Sequence, residues 1–362
     1  VTRSENIRDA FVQQGQACAS LGSQFMGRLM PLLGQRLTPD TAVGARCLAW
    51  QGEAGPSGDS VPLRLAGALN GLALDGSAPE LAKVYPPHPS SDTALWQAVE
   101  AAFHTHERRI LTWLDRAPQT NEVRRAAAVI AGVWWALGAV GPRQVVLSEL
   151  GASAGLNLML DHFAVALDGT DYGPAEPALT LKPDWRGAQR PVPQPITVSA
   201  RGGVDLAPLD PADPGDQLRL LAYLWPDQPE RLARTRAAIA VATARPDAED
   251  AASWLGHRLA QPAPGQLHVV YTTTAAQYFS SETKSTIADH LAQAGRAASA
   301  DAPLLHLAME ADGTAPGAAL FATLWRGGAP EQTHLGRVQF HGDWIAWGPR
   351  VADVPFYPLS TR

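Results

Sequence analysis

Residues 144–158 read QVVLSELGASAGLNL, and the order of residue types in that stretch decides the fold. The apolar run from Val145 to Leu147 predicts a buried strand over 144–149, and LNLML after the glycines predicts a helix over 154–163. Between them Glu149, Gly151, Ser153 and Gly155 form E-x-G-x-S-x-G. Glycines let the backbone approach a ligand closely, and an acid at the carboxyl end of a strand meets the ligand's polar end directly or through water. The segment therefore predicts a strand, a turn and a helix start that hold a nucleoside-containing cofactor.

Other ligands demand other spacings. A dinucleotide calls for G-x-G-x-x-G, whose third glycine is missing here, and no G-x-x-x-x-G-K-[ST] occurs. The sharper rival is that GASAG, residues 151–155, matches G-x-S-x-G, the nucleophile elbow of α/β-hydrolases, with Ser153 as nucleophile. Asp312 and then His334 or His341 complete the chain order Ser, Asp, His. Against it, such an elbow normally follows several strands, and everything before residue 144 reads helical.

Upstream, residues 4–140 carry helical signals with Pro/Gly-rich breaks at 52–62 and 84–91. Within 92–114, Leu95, Val99, Phe103, Ile110 and Leu114 fall near one face. Downstream, strands are expected at 144–149, 196–200, 268–273, 304–309, 320–325 and 335–340. Helices are expected between them at 154–163, 216–224, 231–242, 251–259 and 281–294. The linker GGAPEQ suggests that the last two strands close as an antiparallel hairpin, and the prolines of 173–195 mark an irregular insertion. The fold class that follows is α/β, Rossmann-like, with a mostly parallel sheet and an antiparallel C-terminal hairpin. The expected domains are a helical N-terminal lid over 1–140 and the Rossmann-like part over 141–362.

Two further acids stand in line. After ITVSA comes RGGVDLAPLD, where Asp205 ends a strand behind glycine and can accept both ribose hydroxyls. Its separation from Gly151 is 205 − 151 = 54 residues. The usual interval is roughly 20, so Asp168 and Asp171 stay open as the ribose acid. Asp250 precedes the helix at 251 and can cap it, face an adenine amino group, or do both.

With these stations in order, residues 120–350 resemble class I S-adenosylmethionine-dependent methyltransferases. ELGASAG stands for the glycine motif, GVDLAP for the acidic second-strand motif, EDA for the adenine-side acid and HVVYTTTAAQYF for the fourth strand and its loop. At finer grain QTNEVRR, SELGASAGLNL, RGGVDLAPLD and LWPDQPERLARTRAA resemble a bacterial domain-of-unknown-function family with a methyltransferase-like core. The resemblance implies S-adenosylmethionine as cofactor, held by Glu149, Gly151, Ser153, Gly155, Asp205, Asp250 and Thr273. It also implies that the loop after the fourth strand, with Thr273, Thr274, Gln277 and Tyr278, faces the methyl group, Tyr278 bonding an acceptor or packing as a core tyrosine.

Methyl transfer from a sulfonium is an in-line displacement that asks mainly for alignment and exclusion of water. An amine acceptor needs only a free lone pair, whereas a hydroxyl needs a base. His341, in FHGDW, is the histidine candidate for that base, or else a packing histidine. In QTNEVRR, Arg124 is placed to pair with the cofactor's carboxylate and Asn121 or Glu122 to face the acceptor, the alternative being a solvated helix cap.

Bulk properties narrow the partners. A net charge of -6 without a dense Lys/Arg stripe gives no attraction for nucleic acid or anionic lipid. Cys18 and Cys47 lie far apart, outside any metal or disulfide pattern, and His104 and His106, two apart on a helix, face different ways. The longest apolar run, 126–140, is shorter than the roughly 20 residues of a bilayer-spanning helix. It reads as a buried helix. Together with the polar N-terminus, these features set the expectation of a cytoplasmic methyltransferase acting on a small molecule, N-methylation ahead of O-methylation, with an aromatic or heterocyclic amine among the candidates.

Overall fold

The computed structural model describes residues 3–351. Two compact units form, one from the residues up to 120 together with 213–236, the other from 121–212 together with the described residues from 237 onward. In chain order the helices are α1 (Arg3–Ser20), α2 (Gln24–Arg36), α3 (Ala42–Leu48), α4 (Val61–Leu74), α5 (Pro79–Val84), α6 (Asp92–Thr105) and α7 (Glu107–Leu114). They continue with α8 (Ala126–Val140), α9 (Pro214–Ala222), α10 (Pro229–Ala240), α11 (Ala251–Arg258) and α12 (Ser281–Ala297). The strands are β1 (Gln144–Leu150), β2 (Phe163–Leu167), β3 (Thr170–Tyr172), β4 (Leu179–Leu181), β5 (Asp184–Arg186) and β6 (Val198–Asp205). After them come β7 (Asp247–Ala248), β8 (Gln266–Thr273), β9 (Leu304–Glu310), β10 (Ala318–Trp325), β11 (Glu331–Val338) and β12 (Trp344–Val351).

In the helical unit, short polar side chains set the starts: Ser23, Thr41, Ser91 and Asp213 each accept a backbone N–H of the following turn. Its extent differs from the expected 1–140 in two places. α8 packs against β8, β9 and β10 and so belongs with the sheet. Residues 213–236 instead join the helical unit, where Asn70 Nδ2 donates to the carbonyls of Ala222 (3.0 Å) and Leu224 (2.9 Å). The Asp227 carboxylate accepts from Ser23 Oγ (2.6 Å) and Phe25 N (2.8 Å). Cys18 and Cys47 are buried free thiols.

The second unit holds a nine-stranded sheet in the order β5-β12-β11-β10-β9-β8-β1-β6-β7. β7, β6, β1, β8 and β9 are mutually parallel, so the parallel core taken in chain order reads 3-2-1-4-5, the doubly wound arrangement. β10 then runs antiparallel to β9, β11 to β10 and β12 to β11, which extends the expected C-terminal hairpin by a strand. The helix expected at 154–163 is a 3-10 segment, Leu156–His162, kinked at Met159. It stops there because the chain turns straight into β2, and Arg201 draws the Leu158 carbonyl aside at 2.9 Å. The proline-rich insertion contributes β4 to a small sheet, β3-β2-β4, and sends β5 to the far edge of the main sheet, where it covers edge strand β12.

The stretch Val123–Val140 is long and apolar enough to cross a membrane by length and composition, but most of it is buried inside the unit. It contains α8, the buried helix expected at 126–140. A Cβ on Gly132 would stand 2.7 Å from the Leu307 methyls of β9, so the helix rests on the sheet through a missing side chain. Gly138, on the same helix, has nothing within 4 Å. Gly132→Leu is expected to lower stability by about 1–3 kcal/mol through overpacking. Gly138→Ala should raise it slightly by restricting the unfolded chain. Urea unfolding midpoints of the two variants should therefore move in opposite directions.

Candidate functional site

The chain leaves β1 toward β6 on one side and returns beside β1 as β8 on the other, so the carboxyl ends of β1 and β8 flank the crevice where doubly wound sheets bind ligands. Glu149 sits on this edge, in register with Gly203 of β6 and Tyr271 of β8. The turn that follows takes positive φ at Gly151 (72°), Ser153 (53°) and Gly155 (70°), and glycine is the residue that adopts this region freely.

Neighbouring elements, rather than a helix, hold this turn. The Val204 carbonyl of β6 accepts from Gly151 N (2.9 Å) and Ala152 N (3.0 Å), and Asp205 Oδ2 accepts from Ser153 N (2.9 Å). Gly155 N closes on the Ala152 carbonyl at 2.7 Å, and Leu156 N donates to Asn121 Oδ1 at 2.9 Å. Those five N–H groups are thus committed inside the protein. A phosphate cradle needs them free, so the geometry disfavours a pyrophosphate ligand here, as does the short 3-10 segment in place of a helix N-terminus.

Around the turn lies a buried polar group. Glu149 is 1% exposed and accepts from Tyr271 Oη at 3.2 Å. Burial pushes its carboxyl up to about 8, Asp205's charge adds to the rise, and Tyr271, Asn157 and Arg125 act against it. At the end of β9, Glu310 Oε1 accepts from Ala275 N (3.1 Å) and Ala276 N (3.3 Å), and burial raises its carboxyl as well. Arg125 is near enough to favour the ionised form of both glutamates. Its guanidinium donates to the carbonyls of Thr273 (2.9 Å) and Phe340 (2.8 Å), tying the end of β8 to the turn before β12. Ser153 Oγ and Asn157 Oδ1 are buried without a hydrogen-bond partner.

Residues 8–347 match a family model described as "Uncharacterized protein conserved in bacteria (DUF2332)". The chain belongs to this family. No curated protein and no solved structure gives a significant match.

In this DUF2332 chain the structure brings Glu149, Gly151, Ser153, Gly155, Asp205, Asn121 and Thr273 to one edge of the sheet. Asp205 ends β6 beside the turn, whereas Asp168 pairs with Arg190 and Asp171 lies on β3 of the small sheet. Asp250 caps α11 through Ala252 N (2.9 Å) and Ser253 N (3.1 Å), and its other oxygen accepts from Thr283 Oγ1 at 3.2 Å. Glu122 is buried, its Oε1 accepting from Arg124 N at 3.2 Å. Arg124 is ion-paired with Asp343, and it is Arg125 that reaches the strand ends. Thr274 is buried at φ 56°, Gln277 is exposed and donates to its carbonyl, and Tyr278 is 79% exposed rather than a core tyrosine. His341, half-buried, donates its backbone N–H to Gln339 Oε1 at 2.5 Å.

The triad of the elbow reading is not assembled. Ser153 Oγ has no partner, and Asp312 is held bidentately by Arg337 at 2.9 and 3.2 Å. A buried Ser148 Oγ lies 2.8 Å from His268 Nε2, but Arg258 Nε donates to the same oxygen at 3.1 Å. Burial, with the Arg258 charge, lowers His268 to about 4. The network is satisfied and buried rather than poised for attack. Among the described residues no His/Cys/Asp/Glu group fit for a metal ion is found.

Sequence reasoning missed Arg125, Tyr271, Asn157 and Glu310. The rule that selected Glu149, an acid ending an apolar strand, selects Glu310 after LLHLAM equally well. Tyr271 needed the strand register, which is invisible in one dimension.

The acids set a pH dependence. Glu149 holds its proton more tightly folded (about 8) than its ordinary value of 4.5, so its contribution falls as pH rises from 4.5 to 8. His268 and His306, lowered from 6.5 to about 4, act oppositely, adding stability as pH rises from 4 to 6.5. Above 6.5 Glu149 stands alone. Melting temperature should fall between about pH 6.5 and 8.5, and Glu149→Gln should flatten that fall.

Proposed function

We propose that this chain is an S-adenosylmethionine-dependent methyltransferase acting on a small-molecule acceptor, with amine nitrogen favoured over hydroxyl oxygen. The observation that carries this reading is the pair of acids, Glu149 and Asp205, at the ends of adjacent strands on either side of a positive-φ turn at the sheet's switch point.

The residues present fit an adenosyl ligand better than a dinucleotide. Asp205 Oδ2 accepts from Ser153 N (2.9 Å) and Oδ1 from Ala207 N (3.0 Å), which fixes the carboxylate beside the turn at the strand end where dinucleotide folds place their ribose acid. The buried Ser153 Oγ and Asn157 Oδ1 offer further unsatisfied polar atoms beside the turn. A ligand without phosphates does not need the N–H groups the turn has already committed. When bound, the cofactor supplies a methyl group on a sulfonium.

The chain's own contribution is to orient and to exclude water. Glu149, neutral near pH 7, can ionise against a ligand ammonium and hold that end of the donor. Ala275 packs onto Gly151 so closely that a Cβ on the glycine would lie 2.4 Å from its own, which keeps water from that side of the turn. Thr274, Gln277 and Tyr278 on the loop after β8 are the proposed acceptor contacts, with Asn121, Glu122 and His341 on neighbouring segments. An amine acceptor asks no proton of them before attack, which is why nitrogen is favoured.

Titration calorimetry with S-adenosylhomocysteine tests the reading. Binding should tighten as pH rises toward 8.5, while Glu149→Gln should bind about tenfold or more weakly and lose that pH dependence. No heat of binding at about 1 mM ligand, a limit set by millimolar affinity, would sink the methyltransferase reading. The left-handed Ser153 keeps a hydrolase in view, and fluorophosphonate labelling that vanished in Ser153→Ala would favour it.

A further inference from the structure

A cavity of about 620 Å3 lies in the helical unit, within the range of small-molecule pockets. Arg108 and Thr112 stand one turn apart on α7, and Arg116, two residues beyond the end of that helix, lines the cavity too. The first turn of α9 forms another wall, with Arg219 one turn farther on.

The charge there runs against the rest of the chain. Four arginines line the cavity against two aspartates, Asp213 and Asp216; with Arg109 paired to Asp75 the excess is 3 − 2 = 1 positive charge in a chain of net charge -6. Arg109 is held by Asp75 and Ser77. Arg108 and Arg116 are exposed, and among the described residues neither they nor Arg219 makes an ion pair. Arg219 is 6% exposed and stacks over Trp113 (4.9 Å) and Tyr223 (5.6 Å). Its hydrogen bonds go to the Ala117 carbonyl and the Tyr223 hydroxyl, each at 3.3 Å. Burial holds its pKa below the ordinary arginine range, Tyr223 and Asp216 act against that, and the charges of Arg116 and Arg64 push the same way as burial. Asp216 offsets part of the cost of burying the Arg219 guanidinium, and a bound anion would offset more of it.

We propose that this cavity binds a small polyanion, its oxyanion groups held by Arg108, Arg116 and Arg219 and its apolar part lying against Trp113. Guanidinium forks match phosphate and carboxylate oxygens in pairs, and a stacked arginine keeps its edge free for such bonds. The inference does not rest on the methyl-transfer reading, since it concerns other residues and other chemistry.

The test is calorimetry on the full chain with inorganic pyrophosphate and, separately, citrate, at low and physiological salt. Two variants accompany it: Arg108→Gln with Arg116→Gln, and Thr112→Glu, all at exposed positions and checked for folding by circular dichroism. At least one probe should bind the parent chain, weaken with salt and weaken about tenfold or more in both variants. Tighter binding of pyrophosphate assigns phosphate chemistry, and tighter binding of citrate assigns carboxylate chemistry. If neither probe binds, or if binding is indifferent to both variants, the proposal is overturned.

Discussion

The site in the sheet unit depends on one carbonyl and one carboxylate. Val204 O takes the N–H groups of both Gly151 and Ala152, and Asp205 Oδ2 takes that of Ser153. Consecutive donors from one loop can converge on one strand end only if the loop curls through left-handed conformations, which is what residues 151, 153 and 155 adopt. The stitching holds the turn against β6, between Glu149 of β1 and Asp205 of β6. It also explains how the turn holds its shape without a long helix behind it, since its donors are satisfied sideways.

Burying carboxyls at that edge has a cost, and the structure offsets it in two ways. Glu149 keeps its proton and accepts from Tyr271, while Glu310 takes two backbone N–H groups from the loop after β8. Arg125 is the common counter-charge, and its bonds to the Thr273 and Phe340 carbonyls make it a structural clasp as well. Such a group is held together by mutual satisfaction, so loss of one member leaves the others unpaired in a low-dielectric setting. The antiparallel strands β10 to β12 matter here because they bring the turn at Phe340 back to the ligand edge of the sheet.

What could be read from the residues follows from how local each signal is. The strand at 144–149, its turn and the alternating pattern beyond it rest on periods of two and 3.6 residues, and the structure has strands and helices close to those places. The helix expected at 154–163 failed because the apolar run LNLML says only that the segment is buried, and nothing local signals that Asn121 and Arg201 will hold its ends. The short strands β2 to β5 and β7 lack enough residues to show a period. Arg124 and Arg125 are adjacent and chemically identical. Only the packing of Gly342 against the Arg124 backbone and the ion pair to Asp343 decide which of them faces the strand ends. Residues 213–236 illustrate a long-range choice, since their helical pattern is plain but their membership of the other unit rests on Asn70 and Asp227, far off in sequence.

The two units divide the work of charge. At the glycine turn the backbone donors are consumed and four acids, Glu122, Glu149, Asp205 and Glu310, belong to the segments around it, with Arg125 already engaged. An anion brought there meets the Asp205 carboxylate and finds the N–H groups of the turn already committed. The cavity lined by Arg108, Arg116 and Arg219 has the opposite balance, with guanidinium groups in excess over carboxylates and an indole wall. The two proposed ligands, a positively charged donor and an anionic molecule, call for separate sites, because one low-dielectric pocket tuned to favour one sign penalises the other by the same Coulomb term. Acids gathered at that edge of the sheet, and arginines gathered on α7, just past its end and on α9, are the electrostatic pattern that such separation requires.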